Sequence, residues 1–101
     1  MREARRFATV GRLRQTVLIV DDHGAFRAAA RALLEASAFD VVGEAADGAS
    51  ALAAVAELSP DIVLLDIQLP DLDGFTVAER LTGDHAPLAI VLTLEPQREL
   101  R

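Results

Sequence analysis

The chain has 101 residues, of which 51% are hydrophobic. This length and composition suffice for one hydrophobic core, but the chain is too short for two domains of usual size. It contains no cysteine, which excludes disulfide bridges and thiolate metal sites and favours a reducing, cytoplasmic compartment. Its apolar runs are much shorter than the roughly 20 residues of a membrane-spanning helix, and the N-terminus lacks an apolar signal core. We therefore expect a soluble protein with no membrane partner.

The charge is unevenly divided along the chain. Residues 1–15 hold five Arg and one Glu, a net +4, whereas residues 16–101 hold five Arg and fifteen acidic residues, a net −10. Because an acidic body repels phosphates, we expect no direct nucleic acid binding by this chain. We expect residues 1–15 to be a disordered basic extension and residues 16–101 to form one domain.

The first predicted elements are a strand and a helix. Residues 17–20 (VLIV) are apolar throughout and rich in β-branched side chains, which indicates a buried parallel strand, and Asp21 and Asp22 follow it. Residues 24–37 show the periodicity of an amphipathic helix. The positions of its predicted inward stripe are Phe26, Ala30, Leu33, Leu34 and Ser37.

A second strand and helix follow, and then a third strand. Residues 41–44 are typical of a short strand, and Asp47 can cap a helix over residues 48–58. Pro60 cannot continue that helix. The run IVLLD, residues 62–66, is then a second buried strand that ends in a carboxylate.

The last predicted elements complete an alternating pattern of strands and helices. Residues 75–81 form a short helix that Gly83 can end, and residues 88–93 (LAIVLT) form a third buried apolar run. The alternation, with three strands apolar throughout, predicts an α/β fold whose parallel sheet is covered by helices on both faces.

Polar residues follow the buried strands of this predicted sheet. In open parallel sheets, ligands bind beyond the carboxyl ends of the strands, where Asp21, Asp22, Asp66 and Thr93 lie. Carboxylates at an effective dielectric of about 20 repel one another by roughly 4 kcal/mol for each close pair, so we expect a cation between them. Oxygen ligands with room for water favour Mg²⁺ over Zn²⁺, and a carboxylate in such a site can attack phosphorus.

These residues carry a resemblance to a known family. The stretches VLIVDDHGAFRAAARALLEASAFDVVGEAADGASAL and PDIVLLDIQLPDLDGFTVAERL resemble the receiver domain of two-component response regulators, and most closely those of helix-turn-helix (LuxR-type) transcriptional regulators. The chain matches the spacing of the family's motifs at the acidic pair, at the aspartate of the strand end, at Pro70 and at Gly74. The resemblance implies a flavodoxin-like (CheY-like), doubly wound parallel sheet, here incomplete with strand order 2-1-3-4.

The resemblance also implies a role for each site residue. Asp66 is the phosphoacceptor and binds Mg²⁺ together with Asp22 and the backbone carbonyl of Gln68. Asp21 holds the metal through water, and Thr93 donates a hydrogen bond to the phosphoryl group. The reaction implied is transfer from the phosphohistidine of a sensor histidine kinase to Asp66, followed by slow hydrolysis, and the signal passes to an output domain or partner.

Other residues near the acidic positions have simpler interpretations. His23 follows the acidic pair, but a partly exposed polar residue is normal at the start of a helix, so we do not assign it to the metal. We expect Gly74 to supply a positive φ in a turn. Asp71 and Asp73 are expected to be solvated loop residues.

The sequence departs from the family at its C-terminal end. The family has a fifth strand ending in a lysine that contacts the phosphoryl group, whereas this sequence contains no lysine and ends eight residues after Thr93. The expected domain therefore lacks the last strand and helix. Residues 88–93 would then form an exposed edge strand, which we expect to support a homodimer or a segment swap.

Two other functions stay open from the sequence. A degenerate receiver would bind a partner without phosphorylation, although it would have no physical reason to keep three acidic residues. A Mg²⁺-dependent phosphohydrolase with an aspartyl-phosphate intermediate commonly carries an acid/base aspartate two positions after the nucleophile, where this chain has Gln68, which cannot shuttle a proton. We therefore predict a signalling domain with at most self-phosphorylation and self-dephosphorylation, not an enzyme.

Overall fold

A computed structural model describes residues 14–92 of the chain. In this part, strands and helices alternate in the order predicted from the sequence. The elements are β1 (Gln15–Val20), α1 (Gly24–Ala36), β2 (Phe39–Ala45), α2 (Gly48–Leu58), β3 (Ile62–Asp66), α3 (Gly74–Arg80) and β4 (Leu88–Leu92).

The four strands form one parallel sheet in the order β2-β1-β3-β4. A helix connects each pair of consecutive strands, and such a crossover connection gives the next strand the same direction as the one before it. The order changes direction beside β1, since β2 lies on one side of β1 and β3 lies on the other. The predicted parallel sheet and its order 2-1-3-4 are confirmed.

The central strand β1 supplies apolar side chains to both faces of the sheet, because successive side chains in a strand point in opposite directions. Leu18 and Val20 pack on one face with residues of α2 and α3, whereas Val17 and Ile19 pack on the other face with α1. All four are at most 2% exposed. The sheet is therefore covered by helices on both faces, as the uninterrupted apolar run predicted.

The helix α1 covers less of the sheet than its periodicity suggested. Ala30 is buried, and Phe26 and Leu34 pack against the cluster around it. Leu33, which was predicted to face inward, is 69% exposed and is not part of the core cluster on this face. No helix within residues 14–92 has both the length and the apolar character needed to cross a membrane.

The folded part begins earlier than predicted. Gln15 is the first residue of β1, so the last two residues of the predicted extension belong to the fold. Arg14 donates from Nε to Asp40 at 2.7 Å and from Nη2 to the carbonyl oxygens of Glu35 and Phe39 at 2.9 and 2.7 Å. These hydrogen bonds hold Arg14 to the end of α1 and the start of β2. The rest of the predicted extension lies outside the described residues.

Candidate functional site

The carboxyl ends of β1 and β3 carry the acidic residues that the sequence singled out. Asp21 and Asp22 follow β1 directly, and Asp66 is the last residue of β3. Because β1 and β3 are parallel neighbours, these ends meet at one edge of the sheet. One carboxylate oxygen from each Asp and one ring nitrogen of His23 all lie within 4.8 Å of one another. The structure therefore brings the three predicted carboxylates together.

Asp21 is the buried member of this cluster, with 1% of its surface exposed. Its backbone N–H donates to the carbonyl of Ala45 at 3.0 Å, and its Oδ1 accepts from the backbone N–H of His23 at 2.8 Å. The guanidinium of Arg27 donates to the Asp21 backbone carbonyl at 2.6 Å and forms its ion pair with Glu44. The nearest guanidinium is therefore paired with a different carboxylate.

His23 is closer to the site than the sequence suggested. Its Nδ1 lies 3.0 Å from Oδ1 of Asp21 and 3.0 Å from Oδ1 of Asp22, although the side chain is 74% exposed. The hydrogen bond to Asp21, followed by the charge of Asp22, raises the pKa of His23. The expectation of a partly exposed polar residue at the start of a helix is correct, but the ring also contacts the acidic pair.

Asp66 is partly buried at the end of β3, and its surroundings shift its pKa in two opposing directions. Burial raises the pKa of its carboxyl group, and the nearby charges of Asp21 and Asp22 raise it further. The backbone N–H of Gln68, which donates to Asp66 Oδ1 at 3.2 Å, acts in the opposite direction. Desolvation and like charges both disfavour an ionised carboxylate here.

The loop formed by residues 67–73 closes tightly behind Asp66. The N–H of Ile67 donates to Leu92 O, and the N–H of Gly74 donates back to Ile67 O, both at 2.8 Å. A Cβ at Gly74 would stand 2.6 Å from the carbonyl oxygen of Asp66. The predicted positive φ at Gly74 is wrong, since Gly83 is the glycine of the described chain with that geometry. Gly74 is needed because backbone passes so near it.

Asp71 and Asp73 are exposed loop residues, as predicted, but each also accepts hydrogen bonds from backbone amides in the first turn of a helix. Asp71 accepts from the backbone N–H groups of Gly48 and Ala49 at the start of α2, at 2.7 and 2.9 Å. Asp73 caps α3 by accepting from Thr76 N at 2.7 Å. An aspartate three residues before that amide is an N-cap pattern that the sequence offered.

Two further residues of the predicted site are Thr93 and Gln68. Thr93, predicted to contact the phosphoryl group, lies outside the described residues. Gln68 lies in the loop beside Asp66 and forms an antiparallel bridge with Asp73, which fixes its backbone. Its carbonyl oxygen is the backbone ligand predicted for the metal.

The donor set fits a hard divalent cation. Octahedral Mg²⁺ holds oxygen ligands at about 2.0–2.1 Å, so two of them stand at most about 4.2 Å apart. The ligand atoms of the cluster, with separations up to 4.8 Å, are close to that limit. The carboxylates of Asp21, Asp22 and Asp66 match the preference of Mg²⁺ for oxygen, whereas the imidazole of His23 does not.

Comparison with known proteins connects this geometry to a family. The family model of the response regulator receiver domain matches residues 17–100. BvgA of Bordetella pertussis, named as a positive transcription regulator of virulence factors, is 44% identical over 81 residues, 79% of this chain and 39% of that protein. The transcriptional regulatory protein BtsR of Salmonella typhi is 40% identical over 78 residues, 76% of this chain and 33% of BtsR. The chain thus spans well under half the length of both relatives.

Solved structures share the same architecture. The crystal structure of a LuxR-family two-component response regulator from Aurantimonas superposes with a TM-score of 0.74 at 32% identity. The match covers 81% of this chain and 60% of that chain. The flavodoxin-like, CheY-like fold predicted from the sequence is confirmed by this match and by the strand order.

Proposed function

The chain belongs to the response regulator receiver domain family, and on that premise we propose that it accepts a phosphoryl group on Asp66 with the aid of Mg²⁺. The observation that carries the proposal is the meeting of Asp21, Asp22 and Asp66 at the carboxyl ends of adjacent strands. Such a cluster of like charges is unfavourable by itself. It becomes favourable when a cation and a phosphoryl group occupy the site.

Each residue of the site then has a defined task. Asp22, Asp66 and the backbone carbonyl of Gln68 bind Mg²⁺ directly, and Asp21 binds it through water. When bound, Mg²⁺ neutralises charge on the phosphoryl oxygens. Thr93 donates a hydrogen bond to one of those oxygens.

The chemical step belongs to Asp66. A carboxylate oxygen of Asp66 forms a bond to phosphorus while the N–P bond of a kinase phosphohistidine, protonated at its other ring nitrogen, breaks. The electron pair of the N–P bond stays on nitrogen, which leaves a neutral imidazole and an acyl phosphate on Asp66. Partial burial, which raises the pKa of Asp66, makes its carboxylate more basic than that of an exposed aspartate. Later attack by water returns the carboxylate and inorganic phosphate.

We assign the partners by the same reasoning. The phosphoryl donor is a sensor histidine kinase in the cytoplasm, and the output is transcription regulation through a further domain or a partner protein. The relatives named as transcription regulators support this assignment. The receiver domain then begins at Arg14 rather than at residue 16, and the basic residues that precede Arg14 act as an extension.

We also propose a homodimer or segment swap through β4. In the described residues β4 lies at the edge of the sheet, with Leu88 61% exposed and Ile90 39% exposed. An apolar edge strand is a template for pairing with another chain. Sedimentation equilibrium should show a dimer that Ile90→Lys dissociates. The matched change Val42→Lys on the other edge strand, where Val42 is 37% exposed, should leave the dimer intact.

The test of phosphoacceptor function is a set of thermal melts in EDTA, in Mg²⁺, and in Mg²⁺ with beryllofluoride, which mimics a phosphoryl group. A ligand at one hundred times its dissociation constant stabilises the folded state by about 2.7 kcal/mol, which a melt resolves. We expect the midpoint to rise in Mg²⁺ and again with beryllofluoride. Asp66→Ala should abolish the beryllofluoride response.

The matched control is Asp84→Ala, which removes an exposed carboxylate from the loop before β4, at the opposite end of the sheet. It should respond to both ligands as the unaltered chain does. A rise with Mg²⁺ but none with beryllofluoride would instead support a receiver that binds partners without phosphorylation. Turnover of a small phosphate ester would support the phosphohydrolase.

A further inference from the structure

Asp71 joins the 67–73 loop to the start of the helix α2. Its Oδ1 accepts from Gly48 N at 2.7 Å, and its Oδ2 accepts from Ala49 N at 2.9 Å. Gly48 is the first residue of α2, so both amides belong to the group of N–H donors that have no partner within their own helix. One carboxylate therefore satisfies two donors of an element 23 positions earlier in the chain.

An apolar contact stands beside these hydrogen bonds. A Cβ added at Gly48 would lie 2.8 Å from Cδ1 and 2.9 Å from Cβ of Leu72, so Leu72 occupies the space above that glycine. Leu72 also packs against the core cluster that contains Leu65 and Val77. The polar and apolar contacts are adjacent in sequence and press the same loop against the start of α2.

This loop carries the atoms that the metal needs. It begins directly after Asp66, and it includes Gln68, whose N–H contacts Asp66 and whose backbone carbonyl is the proposed ligand. Its two ends are joined by the hydrogen bond from Gly74 N to Ile67 O. Asp71 anchors its middle to a separate element, so the loop is fixed at its ends and at its centre.

We propose that Asp71 is a positioning residue for the phosphoacceptor site: by anchoring the 67–73 loop on the start of α2, it holds the Gln68 carbonyl and the Asp66 carboxylate in the geometry that binds Mg²⁺. This inference rests on the proposed function. The donors of Gly48 and Ala49 also lower the pKa of Asp71, so the carboxylate is ionised at neutral pH. Residues that orient metal ligands in this way affect metal affinity without contacting the metal.

The same helix end supplies a matched control. Asp47 is the N-cap of α2, and its Oδ1 accepts from Ser50 N at 2.8 Å. Asp47 and Asp71 therefore both bind backbone amides in the first turn of α2, but Asp47 lies outside the loop. Asp47→Ala weakens the helix end and leaves the anchor in place, whereas Asp71→Ala removes the anchor.

The experiment measures Mg²⁺ affinity by NMR titration for the unaltered chain, Asp71→Ala, Asp71→Asn and Asp47→Ala, and amide hydrogen exchange at Gly48 and Ala49. We expect Asp71→Ala to weaken Mg²⁺ binding about tenfold, the lower end for residues that orient metal ligands. Asp71→Asn keeps an acceptor for Gly48 and should recover part of that loss. Asp47→Ala should leave Mg²⁺ affinity unchanged while lowering the melting midpoint.

The outcomes separate this inference from the proposed function. Equal weakening of Mg²⁺ binding by Asp71→Ala and Asp47→Ala would assign the effect to helix stability and overturn the positioning role. Faster exchange at Gly48 and Ala49 in Asp71→Ala with unchanged Mg²⁺ affinity would overturn it as well, and the phosphoacceptor function would stand. No Mg²⁺ binding by the unaltered chain would reject the proposed function, and the positioning role with it.

Discussion

The two ends of the sheet use aspartate in opposite ways. At the amino end, Asp61 Oδ2 accepts from the backbone N–H of Thr16 at 2.9 Å and from its hydroxyl at 3.1 Å. Asp40 pairs with Arg14 at 2.7 Å. At the carboxyl end, Asp21, Asp22 and Asp66 converge on one another. The amino end supplies each of these carboxylates with a donor, whereas the carboxyl end concentrates negative charge.

The amino end of the sheet contributes stability, whereas the carboxyl end carries the candidate functional site. Hydrogen bonds between β1 and the start of β3 fix the register of the two central strands at the amino end. At the other end the same two strands bring together charges that repel each other, which disfavours the folded state. Substitutions at one end of the sheet at a time test this difference.

Gly74→Ala should have the largest effect, and it acts at the carboxyl end. The new methyl group would meet the backbone at 2.6 Å from Asp66 O and 3.0 Å from Ile67 Cα, so the chain must shift. We expect a loss of up to about 3 kcal/mol in the free energy of unfolding, as for other overpacked sites. Urea denaturation measures this loss, and Mg²⁺ titration should show weakened binding.

Gly24→Ala is the matched control, because Gly24 also begins a helix but has space for a methyl group, with its nearest neighbour the flexible Arg27 Nη2 at 3.6 Å. This change should be neutral or slightly stabilising. Similar losses for both glycines would show that the backbone approach at Gly74 is not tight.

Asp61→Ala should have the next largest effect, and it acts at the amino end. It removes the acceptor of the Thr16 N–H and hydroxyl, which are partly buried. A buried donor left without a partner costs about 1 kcal/mol or somewhat more. We expect urea denaturation to show that loss while Mg²⁺ affinity stays the same. A change in Mg²⁺ affinity would contradict the separation between the two ends.

Asp66→Asn should raise the free energy of unfolding in EDTA, whereas Asp61→Ala at the amino end should lower it. Because the folded-state pKa of Asp66 is raised, its ionised form destabilises the fold once the pH exceeds that pKa. The gain from the amide should be about 0.5 kcal/mol, since the group is only partly buried and solvent screens part of its charge. Thermal melts at pH 7 and at pH 3 measure it, and the gain should disappear at the lower pH.

The sheet and its acidic cluster were predictable from the sequence for a physical reason. A strand buried on both faces must be apolar throughout, so the runs at β1 and β3 identified central strands. The first polar residue after such a run marks the strand end, and parallel pairing brings the ends together. Asp21, Asp22 and Asp66 followed from those two facts.

The contacts that organise the loop were not predictable from local pattern. The carboxylate of Asp71 bonds to amides of an element 23 positions away, and no local pattern specifies that meeting. The predicted reason for a glycine at Gly74 was wrong because a close backbone approach and a positive φ both require glycine. Leu33 fitted the helical period, but period alone does not tell which positions of a helix reach the core cluster.

Glu44→Gln should give the smallest effect and the opposite pH dependence to Asp66→Asn. Glu44 near the end of β2 receives hydrogen bonds from Arg31 and Arg27, which lower its pKa. A depressed pKa in the folded state gives stability that is present above the unfolded-state value of about 4.3 and lost as the pH falls through the folded-state value.

Because solvent screens the partly exposed Glu44 side chain, we expect Glu44→Gln to lose no more than about 0.5 kcal/mol at pH 7, and a smaller amount as the pH falls. Thermal melts of Glu44→Gln and Asp66→Asn in the same buffers make the comparison direct. The two substitutions at the same end of the sheet then change stability in opposite directions, because Glu44 pairs with two guanidinium groups, whereas Asp66 is partly buried beside the charges of Asp21 and Asp22. If both amides stabilise the chain at pH 7, then net negative charge alone, and not the arrangement of the site, sets the stability of this end.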